Sequence, residues 1–159
     1  MNTNRPDIII SCGSKYDPWI RYALKYLPSK ILREFGDKLA FFSTAEKDAC
    51  RVARAIIGEQ REIIILSERI LPNKDDDNEV RYFVFVVLHE IAHAYKQHRS
   101  PKLDRLSQNE IVAQEAEADE LALLWFNDFV ENNRNLNLRP LTREEIEEAK
   151  RKNQELMKK

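Results

Sequence analysis

The segment Phe83–Tyr95 (FVFVVLHEIAHAY) constrains the fold more than any other, because it places three polar residues within the most apolar stretch of the chain. An unpaired charged glutamate would be costly to bury there. Two of the chain's three histidines, His89 and His93, lie in this segment, and Glu90 lies between them. We therefore expect a buried helix whose polar residues act together.

The spacing of these residues suits a metal ion. On a helix, His89 and His93 stand on one face, with Cβ atoms about 5–6 Å apart. Tetrahedral zinc with Zn–N distances of about 2.0–2.1 Å needs two ring nitrogens roughly 3.3 Å apart, which this spacing can provide. Glu90 borders the same patch and can reach a water on the metal without binding the metal itself. The HExxH pattern thus predicts zinc ligands at His89 and His93 and a general base at Glu90.

A catalytic zinc also needs a third protein ligand and an open position for water. His98 does not complete the HExxHxxGxxH pattern, which requires a histidine six residues after the second one. On a continuing helix it would also face away from the edge formed by His89 and His93. We therefore interpret His98 as a surface histidine near a helix C-terminus.

The following helical segment, residues 109–126, offers a better third ligand. In an antiparallel helix pair Glu115 would lie opposite His93, since both residues stand at similar distances from the connecting turn. The small side chains Ala116, Ala118 and Ala122 would let the helices approach closely. Asp119, one turn after Glu115, could accept a hydrogen bond from a ligand histidine and fix its tautomer.

The combination of HEIAH at 89–93 with EAEAD at 115–119 resembles the gluzincin metallopeptidases. More narrowly, it resembles their minimal cytosolic members, such as the ImmA/IrrE-like and minigluzincin families and related phage metallopeptidases. The resemblance covers residues 61–126 and implies that Glu115 is the third zinc ligand and that Asp119 supports the ligands from outside. Glu117 matches nothing in this pattern, and we interpret it as an ordinary charged residue.

The resemblance has two further implications. The strand before the active-site helix, here Arg61–Leu66, is expected to run along the cleft and pair with extended substrate. A tyrosine or histidine is expected to help stabilise the oxyanion. The spacing selects none of the available residues, which are Tyr16, Tyr82, Tyr95 and His98.

The first half of the chain predicts a small α/β layer. Three short segments have the composition of buried strands: Asp7–Cys12, Leu39–Ser43 and Arg61–Leu66. Asp17 followed by Pro18 predicts a helix start. Ser43 and Glu46 predict a second helix, because they form a capping box before apolar residues that recur at helical spacing until Gly58, namely Ala49, Val52, Ala53, Ile56 and Ile57.

The second half predicts helices alone. The first spans about residues 78–98, with acidic residues 75–77 at its N-terminus. Ser107 and Glu110 predict a capping box for the next helix, which extends to about residue 133. Thr142 and Glu145 predict the cap of a last, highly charged helix. Whether the segment after Pro140 covers the cleft or forms an additional exposed helix is left open.

Together these elements predict the α+β class with a zincin-like fold: a small three-stranded sheet packed on the HExxH helix and on an antiparallel glutamate helix. We expect a single domain over residues 1–159. Within it, residues 1–60 form an α/β part without a known pattern, residues 61–133 form the catalytic core and residues 140–159 form the charged helix.

Composition excludes several classes of protein. The chain has 159 residues, with 26 basic and 27 acidic side chains scattered along it, so nothing favours nucleic acid or a membrane surface. The longest apolar run, Phe83–Leu88, is far too short to span a bilayer. The first ten residues lack a signal-peptide pattern, and the two cysteines lack CxxC spacing. We expect a cytoplasmic protein of undefined oligomeric state.

The leading hypothesis is a zinc-dependent endopeptidase acting on protein or peptide substrates, with Glu90 as the general base. An alternative is a zinc-bearing regulatory module that binds a protein partner with little or no proteolysis. Glu90 argues against this alternative, because a structural zinc has four protein ligands and needs no base. A third hypothesis, a helical domain without metal, leaves the whole ligand pattern to coincidence.

Overall fold

The computed structural model describes residues 6–45, 50–57, 59–101 and 104–157, which form an α+β fold. Its strands are β1 (Ile9–Ser11), β2 (Leu39–Thr44), β3 (Cys50–Ile57) and β4 (Glu59–Ser67). Its helices are α1 (Asp17–Ala23), α2 (Ser29–Phe35), α3 (Asp77–Tyr95), α4 (Gln108–Asn132) and α5 (Arg143–Met157). The predicted α+β class is confirmed.

The strands form one sheet in the order β1-β2-β4-β3. The first three of these are mutually parallel and correspond to the three predicted strands. The connection between β1 and β2 contains α1 and α2, as a crossover between parallel strands requires. The fourth strand, β3, is antiparallel to β4.

The sequence predicts a helix from Ser43 to Gly58, and this prediction is wrong, because β3 occupies residues 50–57. Within β3, Val52 pairs with Ile63 and Ile56 with Gln60, and the register shifts between Val52 and Ala55. Short apolar segments often fit both the helical and the strand period, and here pairing with β4 decides between them. The predicted capping residue Glu46, together with Ala49, lies outside the described residues.

β4 also corrects the expected substrate strand. It pairs with β2 on one side and with β3 on the other, so it lies inside the sheet. Its backbone hydrogen-bonding groups are therefore engaged on both sides, and the expectation that Arg61–Leu66 pairs with substrate is wrong. Among the strands described, β3 takes the edge position beside it.

Helix α3 occupies the centre of the molecule. Asp76 caps it by accepting hydrogen bonds from the backbone N–H groups of Asn78 and Glu79. The fully or almost fully buried apolar residues of this helix are Phe83, Val84, Phe85, Val87, Leu88, Ile91, Ala92 and Ala94. One hydrophobic cluster joins them to residues of both halves of the chain, from Tyr16 to Ile146.

Helix α4 runs antiparallel to α3, since contacts further along α3 meet earlier residues of α4. His89 lies next to Asp119, whereas Arg99, just beyond α3, binds Glu110. The predicted capping box of Ser107 and Glu110 is present. Of the three small residues proposed to line the contact, Ala118 and Ala122 are fully buried, and Ala116 is exposed.

Helix α5 is packed against the rest of the structure. The predicted cap is present, because the Thr142 hydroxyl accepts from the backbone of Glu145 and the Glu145 carboxylate accepts from the backbone of Thr142. Ile146 is buried in the hydrophobic cluster. Arg81 of α3, itself buried, forms an ion pair with Glu145. An additional helix lying free in solvent is therefore not what the C-terminal segment forms. None of the helices within the described residues is long and apolar enough to cross a bilayer.

Candidate metal centre

Three potential ligand side chains converge between α3 and α4. The Nε2 atoms of His89 and His93 are 2.9 Å apart. The Glu115 carboxylate places Oε2 3.4 Å from His89 Nε2 and Oε1 3.4 Å from His93 Nε2. A tetrahedral zinc site has ligand–ligand distances of roughly 3.3 Å, so two imidazoles and one carboxylate fit such an ion. Among the described residues these three form the group able to hold a metal.

The second ring nitrogen of His89 faces a carboxylate. His89 Nδ1 lies 2.9 Å from Asp119 Oδ1, and both atoms are buried with no other hydrogen-bond partner in the described part of the chain. Each atom must therefore satisfy the other, with the ring N–H donating to the carboxylate. This contact turns Nε2 of His89 toward His93 and Glu115.

Helix α5 contributes to the same arrangement. Lys150 Nζ lies 2.5 Å from the second oxygen of Asp119, Oδ2. Asp119 is thus held between a histidine of α3 and a lysine of α5. These contacts place this part of α5 on the Nδ1 side of His89, behind the ring, whereas the proposed ligand atoms point the other way.

The electrostatics follow from burial and from the two carboxylates. Burial opposes the protonated form of His89, but hydrogen bonds to Asp119 and Glu115 outweigh it and raise the pKa of His89 to about 9. Hydrogen bonds from His89 and His93 hold the pKa of Glu115 well below its usual range. Without metal, the centre therefore holds a protonated histidine between ionised carboxylates. Metal binding would displace that proton.

Glu90 follows His89 directly on α3 and is partly buried. After burial and the two hydrogen bonds, its negative charge is the next influence on His89, and it also raises the pKa of that ring. Glu90 is therefore close to His89, although it is not one of the three side chains that converge as potential ligands.

His98 is not the surface residue expected from the sequence. Its residue exposure is 8%, and its Nδ1 lies 2.9 Å from His93 Nδ1. Its Nε2 lies 2.9 Å from Glu117 Oε2. Glu117, which the sequence analysis interprets as an ordinary charged residue, contacts both His98 and Lys96. Hydrogen bonds from Lys96, and then from His98, lower the pKa of Glu117.

His98 is buried beside His93, and not at the surface, because of the way α3 ends. The helix ends at Tyr95, and Gln97 adopts a left-handed backbone conformation with φ of 56°. The backbone N–H of Gln97 donates to the carbonyl of Ala94, and that of His98 donates to the carbonyl of His93. These two bonds form a Schellman motif, which usually has glycine at the position of Gln97. Without a glycine, nothing in the sequence marked the turn that returns His98 to His93.

The expected oxyanion-stabilising residues have different surroundings. The hydroxyl of Tyr16 donates to the carbonyl of Ser67 within the core, which removes Tyr16 from the candidates. The ring of Tyr95 packs edge-on against Phe35 and Trp125. Tyr82 stacks on Phe85, and burial raises the pKa of its phenol.

The chain was compared with known proteins. No curated protein and no solved structure matches the chain. The family model described as Peptidase U49 matches residues 80–152, a range that includes His89, Glu90, His93 and Glu115 and reaches into α5. The segment that builds the candidate metal centre is therefore similar to a peptidase family, and this similarity supports a protease.

Proposed function

We propose that this protein is a zinc-dependent metallopeptidase of the gluzincin type that hydrolyses peptide bonds in protein substrates. One observation carries the proposal: two histidine nitrogens and a carboxylate converge on one point within a segment similar to a peptidase family. The ligands would be His89, His93 and Glu115, and Asp119 would support His89 through its second ring nitrogen.

A zinc ion held there would polarise the carbonyl of the scissile peptide bond and would lower the pKa of a bound water to about 7. Glu90 would take the proton of the attacking water and pass it to the leaving amine, as a general base and then a general acid. The Glu115 side chain is 48% exposed, whereas His89 and His93 side chains are 11% and 12% exposed. The site would thus be reached by substrate from the side of Glu115.

The sheet edge suggests how a substrate could bind. β3 is the outermost strand beside β4 among the described elements, and it contacts α3. An extended peptide can add to an exposed sheet edge through backbone hydrogen bonds. We therefore assign the substrate-pairing role to β3 in place of Arg61–Leu66.

The remaining features of the proposal rest on the sequence. The net charge is −1, and the basic residues are not concentrated in one stretch of the chain, so we propose no nucleic-acid partner. Protein or peptide chains are the expected partners, and the cytoplasm is the expected location.

Glu90→Gln provides the decisive test, because it preserves the shape of the side chain and removes the base. Zinc content and cleavage of casein or a denatured protein are measured on the same preparations. The variant should fold and bind about one zinc per chain, yet lose hydrolysis by about 10²–10⁴-fold. Glu155→Gln, at an exposed position of α5, is the matched control and should retain both properties.

The ligand variants complete this test. His89→Ala and His93→Ala should abolish zinc binding, and Glu115→Ala should weaken it strongly. Glu120→Ala, on the same helix as Glu115 but 69% exposed, should leave zinc binding unchanged. Hydrolysis that survives in Glu90→Gln would refute the assigned base. Zinc binding without any hydrolysis by the parent would instead favour the zinc-bearing regulatory module.

A further inference from the structure

The two proposed histidine ligands are held at their second ring nitrogens by different groups. Nδ1 of His89 faces a carboxylate directly, at Asp119. Nδ1 of His93 faces another imidazole, that of His98, at 2.9 Å. The far nitrogen of His98 then faces a carboxylate, at Glu117. Each histidine ligand is therefore linked to an acidic residue of α4, and His93 is linked through an intervening ring.

The chemistry of these groups fixes the direction of the hydrogen bonds. A carboxylate only accepts, so Nε2 of His98 must carry a proton and donate to Glu117. A neutral His98 then has an unprotonated Nδ1, which accepts from Nδ1–H of His93. With its proton on Nδ1, His93 presents an unprotonated Nε2, the form that binds a metal.

We propose that His98 is a positioning residue that holds His93 in its Nδ1–H tautomer, with Nε2 directed at the metal, and that Glu117 orients His98. This inference rests on the proposed metal centre. It extends that centre with two residues that the HExxH and glutamate motifs do not include. Such outer groups orient a ligand ring and increase its basicity.

The fold keeps His98 in place. The left-handed conformation at Gln97 returns the chain toward α3. The next residue, Arg99, is fixed to α4 by two hydrogen bonds, since its N–H donates to the Gln114 side chain and its carbonyl accepts from it. Arg99 also forms an ion pair with Glu110. His98 is therefore held in a short, anchored turn between the two helices that carry the ligands.

Lys96 keeps the carboxylate of Glu117 in position. Its Nζ lies 2.6 Å from Glu117 Oε1, whereas His98 binds the other oxygen, Oε2. The two oxygens are thus divided between a permanent cation and the imidazole. The same division occurs at Asp119, whose oxygens are shared between His89 and Lys150. The two carboxylates therefore have parallel arrangements.

His98 is not itself a ligand in this arrangement. The convergence point lies at Nε2 of His93, next to Nε2 of His89. His98 contacts the other ring nitrogen of His93, Nδ1, and its own second nitrogen is engaged by Glu117. Both nitrogens of His98 are thus directed to partners other than the metal position.

The test compares two variants of nearly equal shape, His98→Asn and His98→Leu. The asparagine carbonyl can replace Nδ1 as an acceptor for His93, whereas leucine cannot. Zinc affinity is measured by competition with a chelator, and folding is checked by urea denaturation of the metal-free protein. His98→Leu should bind zinc about 10–100-fold more weakly than the parent, and His98→Asn should recover most of that loss. Glu117→Gln changes an exposed position and should not impair folding. Its loss of zinc affinity should be smaller than that of His98→Leu.

A second readout reports the tautomer itself. Long-range ¹H–¹⁵N spectra of His93, recorded on metal-free protein at a pH where this ring is neutral, should show the proton on Nδ1 in the parent. In His98→Leu the two tautomers should be mixed. Equal zinc affinity in the parent and in a folded His98→Leu variant would overturn the proposal. Equal losses in the asparagine and leucine variants would overturn it as well, because they would indicate a packing role.

These outcomes remain distinct from failure of the metal centre. A parent protein that binds no zinc would refute the proposed function. The tautomer measurement would then decide the role of His98 without metal: a proton on Nδ1 of His93 that depends on His98 supports it, and an unchanged tautomer in His98→Leu overturns it.

Discussion

Lys150 of the last helix binds the carboxylate of Asp119, whose other oxygen lies 2.9 Å from His89 Nδ1. This contact links α5 to the candidate metal centre through two successive ion pairs. The similarity to Peptidase U49 extends to residue 152 and so includes Lys150. We infer that α5 supports the candidate metal centre by holding Asp119 in place.

The first prediction therefore concerns Lys150→Met. The substitution leaves Oδ2 of Asp119 without its cation, so Asp119 is free to rotate and holds His89 less firmly. Zinc affinity should fall, although by less than the roughly 10–100-fold expected for Asp119→Asn, which acts on the carboxylate directly. Chelator competition measures both effects.

Lys152→Met is the matched control for this prediction. Lys152 lies on the same helix and binds Glu148 at the surface, where its side chain is 67% exposed. Zinc affinity should be unchanged in this variant. If Lys150→Met and Lys152→Met behave alike, the link between α5 and the metal centre is absent.

The second prediction concerns the ion pair that anchors the start of α5. Buried Arg81 binds both oxygens of Glu145 at 3.0 Å, and its guanidinium also donates to the carbonyl of Pro140. Glu145→Gln would leave the Arg81 charge in a buried position without its counter-ion. The Glu145 side chain is 34% exposed, so solvent screens the pair. We therefore expect the variant to lose about 1–2 kcal/mol of its free energy of unfolding at pH 7.

This loss should depend on pH in a defined direction. The hydrogen bond from Arg81 lowers the pKa of Glu145 from 4.5 to about 2. A lowered pKa in the folded state means that the stabilisation is complete above pH 4.5 and is lost as the pH falls through about 2. Urea denaturation at several pH values should show parent and variant converging below pH 4.5. Glu148→Gln, which removes a surface pair, should show little difference at any pH, and a constant gap for Glu145→Gln would contradict the assignment.

Local signals predicted α4 and α5 together with their caps. Ser107 with Glu110 and Thr142 with Glu145 act within four residues, so their pattern is visible in the sequence and confirmed in the structure. The spacing of His89 and His93 on one helix is local in the same sense. Placing Glu115 opposite these histidines required only the distances along the two helices from the turn that connects them.

The features that the sequence did not reveal depend on non-local pairing or on an unmarked turn. The apolar residues of β3 allow a helix, and the ladder with β4 excludes it. The placement of β4 inside the sheet follows from the same ladder. Lys150 reaches Asp119 only because α5 packs beside α3 and α4, which no short motif encodes. His98 was missed because Gln97 takes the left-handed turn in place of a glycine.

The last prediction uses this turn. A non-glycine residue in the left-handed region costs about 1–2 kcal/mol, whereas glycine loses about 0.5–1 kcal/mol of stability through its greater freedom in the unfolded chain. Gln97→Gly should therefore increase the free energy of unfolding by about 0.5–1 kcal/mol, measured by urea denaturation. Gln97→Ala retains Cβ, and with it the backbone strain, so it should bring no such increase. Loss of stability in Gln97→Gly would show that the turn at the end of α3 has another conformation, and the placement of His98 beside His93 would fall with it.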